Sequence, residues 1–337
     1  MRALHPSAIL FLAFIWVGTA WGVDMQTPGA VSPPLAAQEK KASIKRGVHW
    51  YRHPSFKTAA EQETYAYSLY QTGRLRASAN AYQALVYAWP DSPQAATAQL
   101  ALAKVQQHRE LYEKAFDEYQ YLVDHYPGQF DYRNVLELQF QIANYLMNAK
   151  KGAFLFFPGF DAPERAIPMF EKIIRNAPSW DKAPLAQFDI GLIHELNHEE
   201  EEAGAAYEIL QNRYPNSEWA APASFHQALC LNRLSTQRPY DENALNSARS
   251  ALVSFIRTYP DSRQVTEAQA LLKEDNTRRE RLVFERASFY DRLAKRPGAA
   301  LQAYEEFLRV FPSSDLAPTA RKRIEALKAP IKGDPNS

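Results

Sequence analysis

Apolar and small residues recur along this chain in a fixed order ahead of six prolines. Twelve residues before the proline stands a small side chain: Ser78, Ala115, Ala166, Ala203, Ala248 and Ala300. Eight before it comes a large one: Tyr82, Tyr119, Phe170, Tyr207, Leu252 and Tyr304. Five before it comes Leu85, Leu122, Ile173, Leu210, Phe255 and Phe307. Steps of four and three bring all three positions to one face of an α-helix. The small residue lets two helices approach, the large one fills the gap beside it, and the third seals the next layer. The proline then ends the helix, because it has no N–H to donate and disfavours helical backbone in the residue before it.

The residue before the proline is aromatic in five of the six copies: Trp89-Pro90, Tyr126-Pro127, Tyr214-Pro215, Tyr259-Pro260 and Phe311-Pro312, with Ala177-Pro178 as the sixth. The prolines lie 37, 51, 37, 45 and 52 residues apart. Periods of this length imply stacked repeats rather than one closed globule. Small polar residues after four of the prolines, such as Asp91-Ser92 and Asn216-Ser217, are expected to cap the following helix. No period-two alternation stands out, so the expected fold class is all-α, with about 12 helices in an α-solenoid.

The small–aromatic–proline order resembles the tetratricopeptide repeat, a pair of antiparallel helices. In that register Gly73 belongs to the turn inside the first pair and Gly191 to the crowded first helix of the fourth. The unequal spacing, with the joints Trp89-Pro90-Asp91-Ser92 and Phe311-Pro312, resembles the BamD/YfiO-type outer-membrane assembly proteins. The stretches that carry the likeness are Gly73 to Ser92 and Arg281 to Pro312. That family also has a Phe- and Gly-rich insertion before its third terminal proline, where this chain has Phe154, Phe156, Phe157, Gly159 and Phe160. One departure is the lipidated N-terminal cysteine usual in the family: the sole cysteine here is Cys230.

The N-terminus reads as a secretory signal. Arg2 precedes an apolar run from Ile9 to Val17, and Gly18-Thr19-Ala20 offers small residues for cleavage. An uncleaved anchor is the other reading, though the run is short for a bilayer span. The expected organisation is a signal peptide at 1–20, a linker and entry segment at 21–56, repeats at 57–327 and a disordered tail at 328–337. The formal net charge of +1 argues against nucleic acid as a partner. One cysteine excludes an internal disulfide framework. The expected location is the periplasm, peripheral to the outer membrane and touching it only indirectly.

Candidate chemistry is sparse. His194-Glu195-Leu196-Asn197-His198 spells HExxH, the zinc-peptidase motif, in which two histidines one helical turn apart hold the metal and the glutamate is the base. In the repeat register, however, His198 falls at a hairpin turn equivalent to Gly73, and the next helix starts near Glu199. The favoured reading is a helix-end histidine beside an acidic turn. No nucleophile–base pair, phosphate loop or cofactor fingerprint appears, so the chain is read as non-enzymatic, with no metal or cofactor.

Binding surfaces are the better candidates. Glu63, Tyr67 and Tyr70 of the first repeat, with Leu100, Lys104 and Gln107 of the second, are expected to face a groove able to hold an extended peptide with aromatic side chains, its carboxylate against Lys104. The alternative packs these tyrosines on the segment around Trp50 and Tyr51. Tyr65 takes the core side. The Phe154–Phe160 stretch either tucks into the solenoid or forms a partner patch. Arg278, Arg279, Arg281 and Arg286 form either a solvated, ion-paired face or, as the resemblance implies, the contact with a β-barrel insertion protein. Cys230 is expected to be a small buried residue. The resemblance implies a scaffold in outer-membrane β-barrel assembly that engages unfolded outer-membrane protein peptides. A general envelope adaptor, for example in an export complex, is the alternative.

Overall fold

The computed structural model describes residues 53–151 and 160–329, with side chains at 53–149 and 162–329. All of them belong to one compact unit, Val31–Ser337. The signal segment, most of the linker, the aromatic stretch at 154–159 and the tail from 330 lie outside the described residues.

The described chain is a stack of helical hairpins, the tetratricopeptide-type superhelix expected. The first three are α1 Ala59–Gln71 with α2 Leu75–Ala88, α3 Ala95–His108 with α4 Tyr112–His125, and α5 Tyr132–Asn148 with α6 Ile167–Asn176. The next three are α7 Ala183–Leu196 with α8 Glu200–Arg213, α9 Ala220–Gln237 with α10 Glu242–Thr258, and α11 Val265–Ser288 with α12 Pro297–Val310. A thirteenth helix, α13 Ala317–Lys328, closes the described array and buries Ala317 and Ala320. Inside the third hairpin lies a two-residue antiparallel ladder that the sequence pattern did not announce: β1 Lys150–Lys151 pairs with β2 Phe160–Asp161. A 3-10 turn, Pro163–Ala166, then leads into α6.

Every small, large and sealing residue of the repeat is buried, none more than 4% exposed. Each second helix stops two residues short of its proline. The residue between, from Trp89 to Phe311, takes φ between −125° and −142° and donates its N–H to the carbonyl of the sealing residue, as Trp89 does to Leu85. Proline's clash with the preceding backbone explains that recurring extended φ.

The expected serine caps do not form at the joints of Ser92, Ser217 and Ser262. The backbone makes two successive turns instead: Ser92 N–H bonds to Trp89 C=O and Ala95 N–H to Ser92 C=O, with the same pair at Ser217 and Ser262. Ser262 Oγ takes only a long 3.5 Å bond from Gln264 N–H, and Gln94, Trp219 and Gln264 precede their helices without a side-chain cap. Capping is done by Thr58, Asp131 and Asp241, whose side chains accept from Glu61, Asn134 and Ala244 N–H at 3.3, 3.0 and 3.0 Å.

The turns inside the first, second and fourth hairpins share another geometry. Arg74 N–H reaches Leu69 C=O at 2.9 Å and Gly73 N–H reaches Tyr70 C=O at 3.0 Å, with Gly73 at φ +72°. This pair of bonds closes a helix on a left-handed residue. Glu110 and His198 occupy the same position at φ 58° and 60°, without the glycine that suits it. Three buried glutamines tie the hairpins internally. Gln62, Gln99 and Gln187 donate from Nε2 to the carbonyls of Ala81, Glu118 and Ala206 at 3.0, 2.8 and 3.1 Å.

The apolar core is continuous from Ala66 to Ala206. Beyond it the core divides into smaller clusters around Tyr207, Phe255 and Tyr304. Polar bridges span these later joints: Asn232 bonds across to buried Asp275 at 3.0 Å, and Arg278, on the same helix as Asp275, bonds it at 3.0 Å as well. Arg323 clasps Asp291 with two bonds of 2.7 Å. The three long intervals have separate outlets. The second holds the β-ladder, while the fourth and fifth lengthen helices, α11 reaching 24 residues.

Candidate functional site

Steps of four and three along α1 bring Glu63, Tyr67 and Tyr70 to one side of the helix. That side meets α3: Thr97 Oγ1 donates to Glu63 Oε1 at 2.9 Å. Tyr67 is half-exposed and stacks on Tyr70 with centroids 6.5 Å apart. Tyr70 stacks in turn on the His108 ring at 5.5 Å, its hydroxyl 3.1 Å from Nδ1. Lys104 is exposed and Leu100 half-buried against the core. Gln107 turns its amide oxygen to the hydroxyl of buried Tyr119, 3.0 Å away. Tyr65 packs against the core and against Phe56, at 5.2 Å.

A separate ring pair joins the second hairpin to the third. Tyr112 and Tyr145 lie 4.2 Å apart, and Tyr145 is half-exposed. Beside them opens a cleft of about 580 Å³ lined by Phe140, Gln141, Asn144, Tyr145, Asn148 and the Glu137–Lys182 ion pair. Lys182 holds both Glu137 oxygens at 2.6 and 2.7 Å and lies 5.3 Å over the Phe140 ring. The cleft offers an aromatic wall and amide side chains that both donate and accept, which suits the main chain of an extended peptide. His108 and Tyr145 were not singled out in the sequence. Both stand eighteen residues after their preceding joint prolines, Pro90 and Pro127, and that count is the signal that could have found them.

The two histidines of the HExxH letters do not stand on one helix. α7 ends at Leu196, and His198 sits in the left-handed turn at φ 60°. His194 Nδ1 is held by Glu199 Oε2 at 2.7 Å. Glu195 points into the fold instead, where its side chain is 9% exposed. It accepts from His226 Nδ1 at 2.7 Å and from Arg233 Nη1 at 3.2 Å, and Arg233 also reaches Glu200 at 3.2 Å. Burial pushes the Glu195 carboxyl up, but the His226 bond and the His226 and Arg233 charges outweigh it, holding the group below its ordinary value. Cys230, fully buried, lies 3.8 Å from Glu195, and burial followed by the nearby carboxylates raises its thiol far above the reactive range.

The four arginines of α11 have different surroundings. Arg278 bonds to Asp275 and to Ser235, and Arg286 pairs with Glu242. Arg279 lies over the Phe311 ring at 5.4 Å. Arg281 is exposed.

A tetratricopeptide-repeat family model matches residues 64–130, and a family described as an outer membrane lipoprotein, YfiO, matches residues 188–331. No curated protein matches the chain. Similar solved structures include the C-terminal part of a tetratricopeptide-repeat protein from Cytophaga hutchinsonii, 17% identical, covering 79% of this chain and 88% of that one with a TM-score of 0.31. YrrB, described as a tetratricopeptide protein with an unusual peptide-binding site, is 17% identical over 63% of this chain and 92% of its own, TM-score 0.30. PilW, a type IV pilus biogenesis factor, is 12% identical over 79% and 100%, TM-score 0.27. The two family matches support a tetratricopeptide-type protein-binding scaffold whose C-terminal half is similar to an outer-membrane lipoprotein family. Among the described residues no helix is long and apolar enough to cross a membrane.

Proposed function

We propose that this chain is a non-enzymatic periplasmic scaffold in outer-membrane β-barrel protein assembly, peripheral at the outer membrane. Its first three hairpins hold an extended peptide, and its C-terminal hairpins contact a β-barrel insertion protein. The observation that carries the peptide reading is the ring row Tyr67, Tyr70 and His108, with the amide-lined cleft at Asn144 and Asn148 as a second opening on the N-terminal hairpins. Half-exposed tyrosines supply contact area at small entropic loss. Lys104, exposed on the same helix as His108, supplies a cation for a peptide carboxylate. The match of residues 188–331 to an outer-membrane lipoprotein family supports the envelope assignment. On α11, exposed Arg286, which already pairs with Glu242, is the arginine that would meet an acidic partner surface.

The test is crosslinked pull-down from the cell envelope. Recovery of a β-barrel insertion protein supports the reading. Recovery of unrelated envelope proteins alone would sink the assembly role and leave a general adaptor.

A further inference from the structure

A second cleft, of about 430 Å³, opens between α10 and α11 and is independent of the ring row. Its lining carries three cations, Arg249, Lys273 and Arg279, against one carboxylate, Glu280, with Asn276 and Phe311 beside them. The acids around it are already committed. Asp275 is bonded to Arg278 at 3.0 Å and Asn232 at 3.0 Å, Glu306 to Arg309 at 2.6 Å, and Glu280 takes the Ser314 hydroxyl.

The two guanidiniums are held in place. Arg249 Nε donates to Asn276 Oδ1 at 2.8 Å, which fixes its plane, and Arg279 lies over the Phe311 ring. Burial, then the Arg279 charge, holds Arg249 below its ordinary value, with Asp275 opposing. Two cations from neighbouring helices thus converge on one opening, where a bound anion would relieve their repulsion. Arginine forks match the tetrahedral oxygens of a phosphoryl group. Three cations against one carboxylate leave an excess of two, which fits a dianion better than a single carboxylate.

We propose that the α10–α11 cleft binds a phosphate monoester, its phosphoryl oxygens between Arg249 and Arg279 and its organic part along Phe311. The shared chemistry fits a soluble phosphate ester or a phosphomonoester lipid headgroup.

The experiment titrates the whole protein at low salt with phenyl phosphate, and separately with phosphatidylcholine vesicles with and without phosphatidic acid. Binding of phenyl phosphate is expected to weaken about tenfold in Arg249→Lys and in Arg279→Gln, and less than about twofold in Arg281→Gln. Arg281 lies on the same helix outside the cleft, so it controls for net charge. Thermal melts confirm that each variant is folded, and Arg279→Gln alone suffices if Arg249→Lys is not. Recruitment to phosphatidic acid vesicles that depends on Arg279 identifies a lipid source. Phenyl phosphate binding without recruitment identifies a soluble one. An equal loss in Arg281→Gln, tighter binding of hexaglutamate than of phenyl phosphate, or no binding of either phosphate probe overturns the proposal.

Discussion

His226 Nδ1 stands 2.7 Å from Glu195 Oε1, joining the first helix of the fourth hairpin to the first helix of the fifth. An ionised carboxylate can only accept, so Nδ1 carries the proton. The bond lies where the continuous apolar core gives way to smaller clusters, and the glutamate of the apparent zinc motif is a structural group there.

Glu195→Gln is expected to destabilise the protein by about 2 kcal/mol, below the full penalty for breaking a buried pair, because Arg233 is partly exposed and keeps Glu200. His198→Gly is expected to stabilise it by about 0.5–1 kcal/mol, since glycine adopts the left-handed turn without cost. Urea unfolding reads both. A loss of stability in His198→Gly would mean that the imidazole has a role at the turn.

Two carboxyls make opposite pH demands. The Glu195 carboxyl is held below its ordinary value in the fold, so its stabilisation is present at neutral pH and is lost as pH falls through that lowered value. Burial pushes Asp189 up to about 7. The unfolded chain loses this proton first, so stability falls as pH rises from about 4 to about 7. Asp189→Asn is therefore expected to gain stability at pH 8, at most about 4 kcal/mol, and to change little near pH 4. Equal effects at both pH values would contradict the assignment.

A methyl group added at Gly191 would come within 2.5 Å of the fully buried Tyr207 ring. Gly191→Ala is expected to cost about 2–3 kcal/mol, with Tyr207→Leu partly rescuing it in a double-mutant cycle. Strict additivity would show that the two sites do not meet.

The hydroxyls of Ser92 and Ser217 are buried without a partner, whereas Ser314 Oγ accepts from Leu316 N–H at 2.9 Å. Ser92→Ala and Ser217→Ala are expected to be neutral or slightly stabilising, and Ser314→Ala to cost about 1 kcal/mol. Equal costs at all three in thermal melts would restore a capping role to the first two.

Tyr67→Ala and Tyr70→Ala are expected to weaken a fluorescent peptide with a C-terminal aromatic residue by about tenfold in anisotropy titrations, with melting temperature nearly unchanged for exposed Tyr67. Unchanged affinity in both would remove the ring row from the binding surface.

Much of the hairpin order was legible in the chain because it is written in local terms. A helix with one buried stripe needs apolar residues at steps of four and three, and proline stops it wherever it stands. The same counting put Gly73 and His198 in equivalent turns and so weakened the metal motif before any contact was known. The ring row was half legible: Tyr67 and Tyr70 share a helix, but His108 joins them only through contact between two first helices.

By itself, then, the sequence determined the repeat, its buried positions and its joints, since each depends on residues within one helix or turn. Tertiary structure decided what the polar residues do. Glu195 finds His226 across 31 residues and Asp275 finds Asn232 across 43. Arg249 and Arg279 come to one cleft from different helices. A buried charge takes whatever partner the packing brings near, and no local period records which partner that will be.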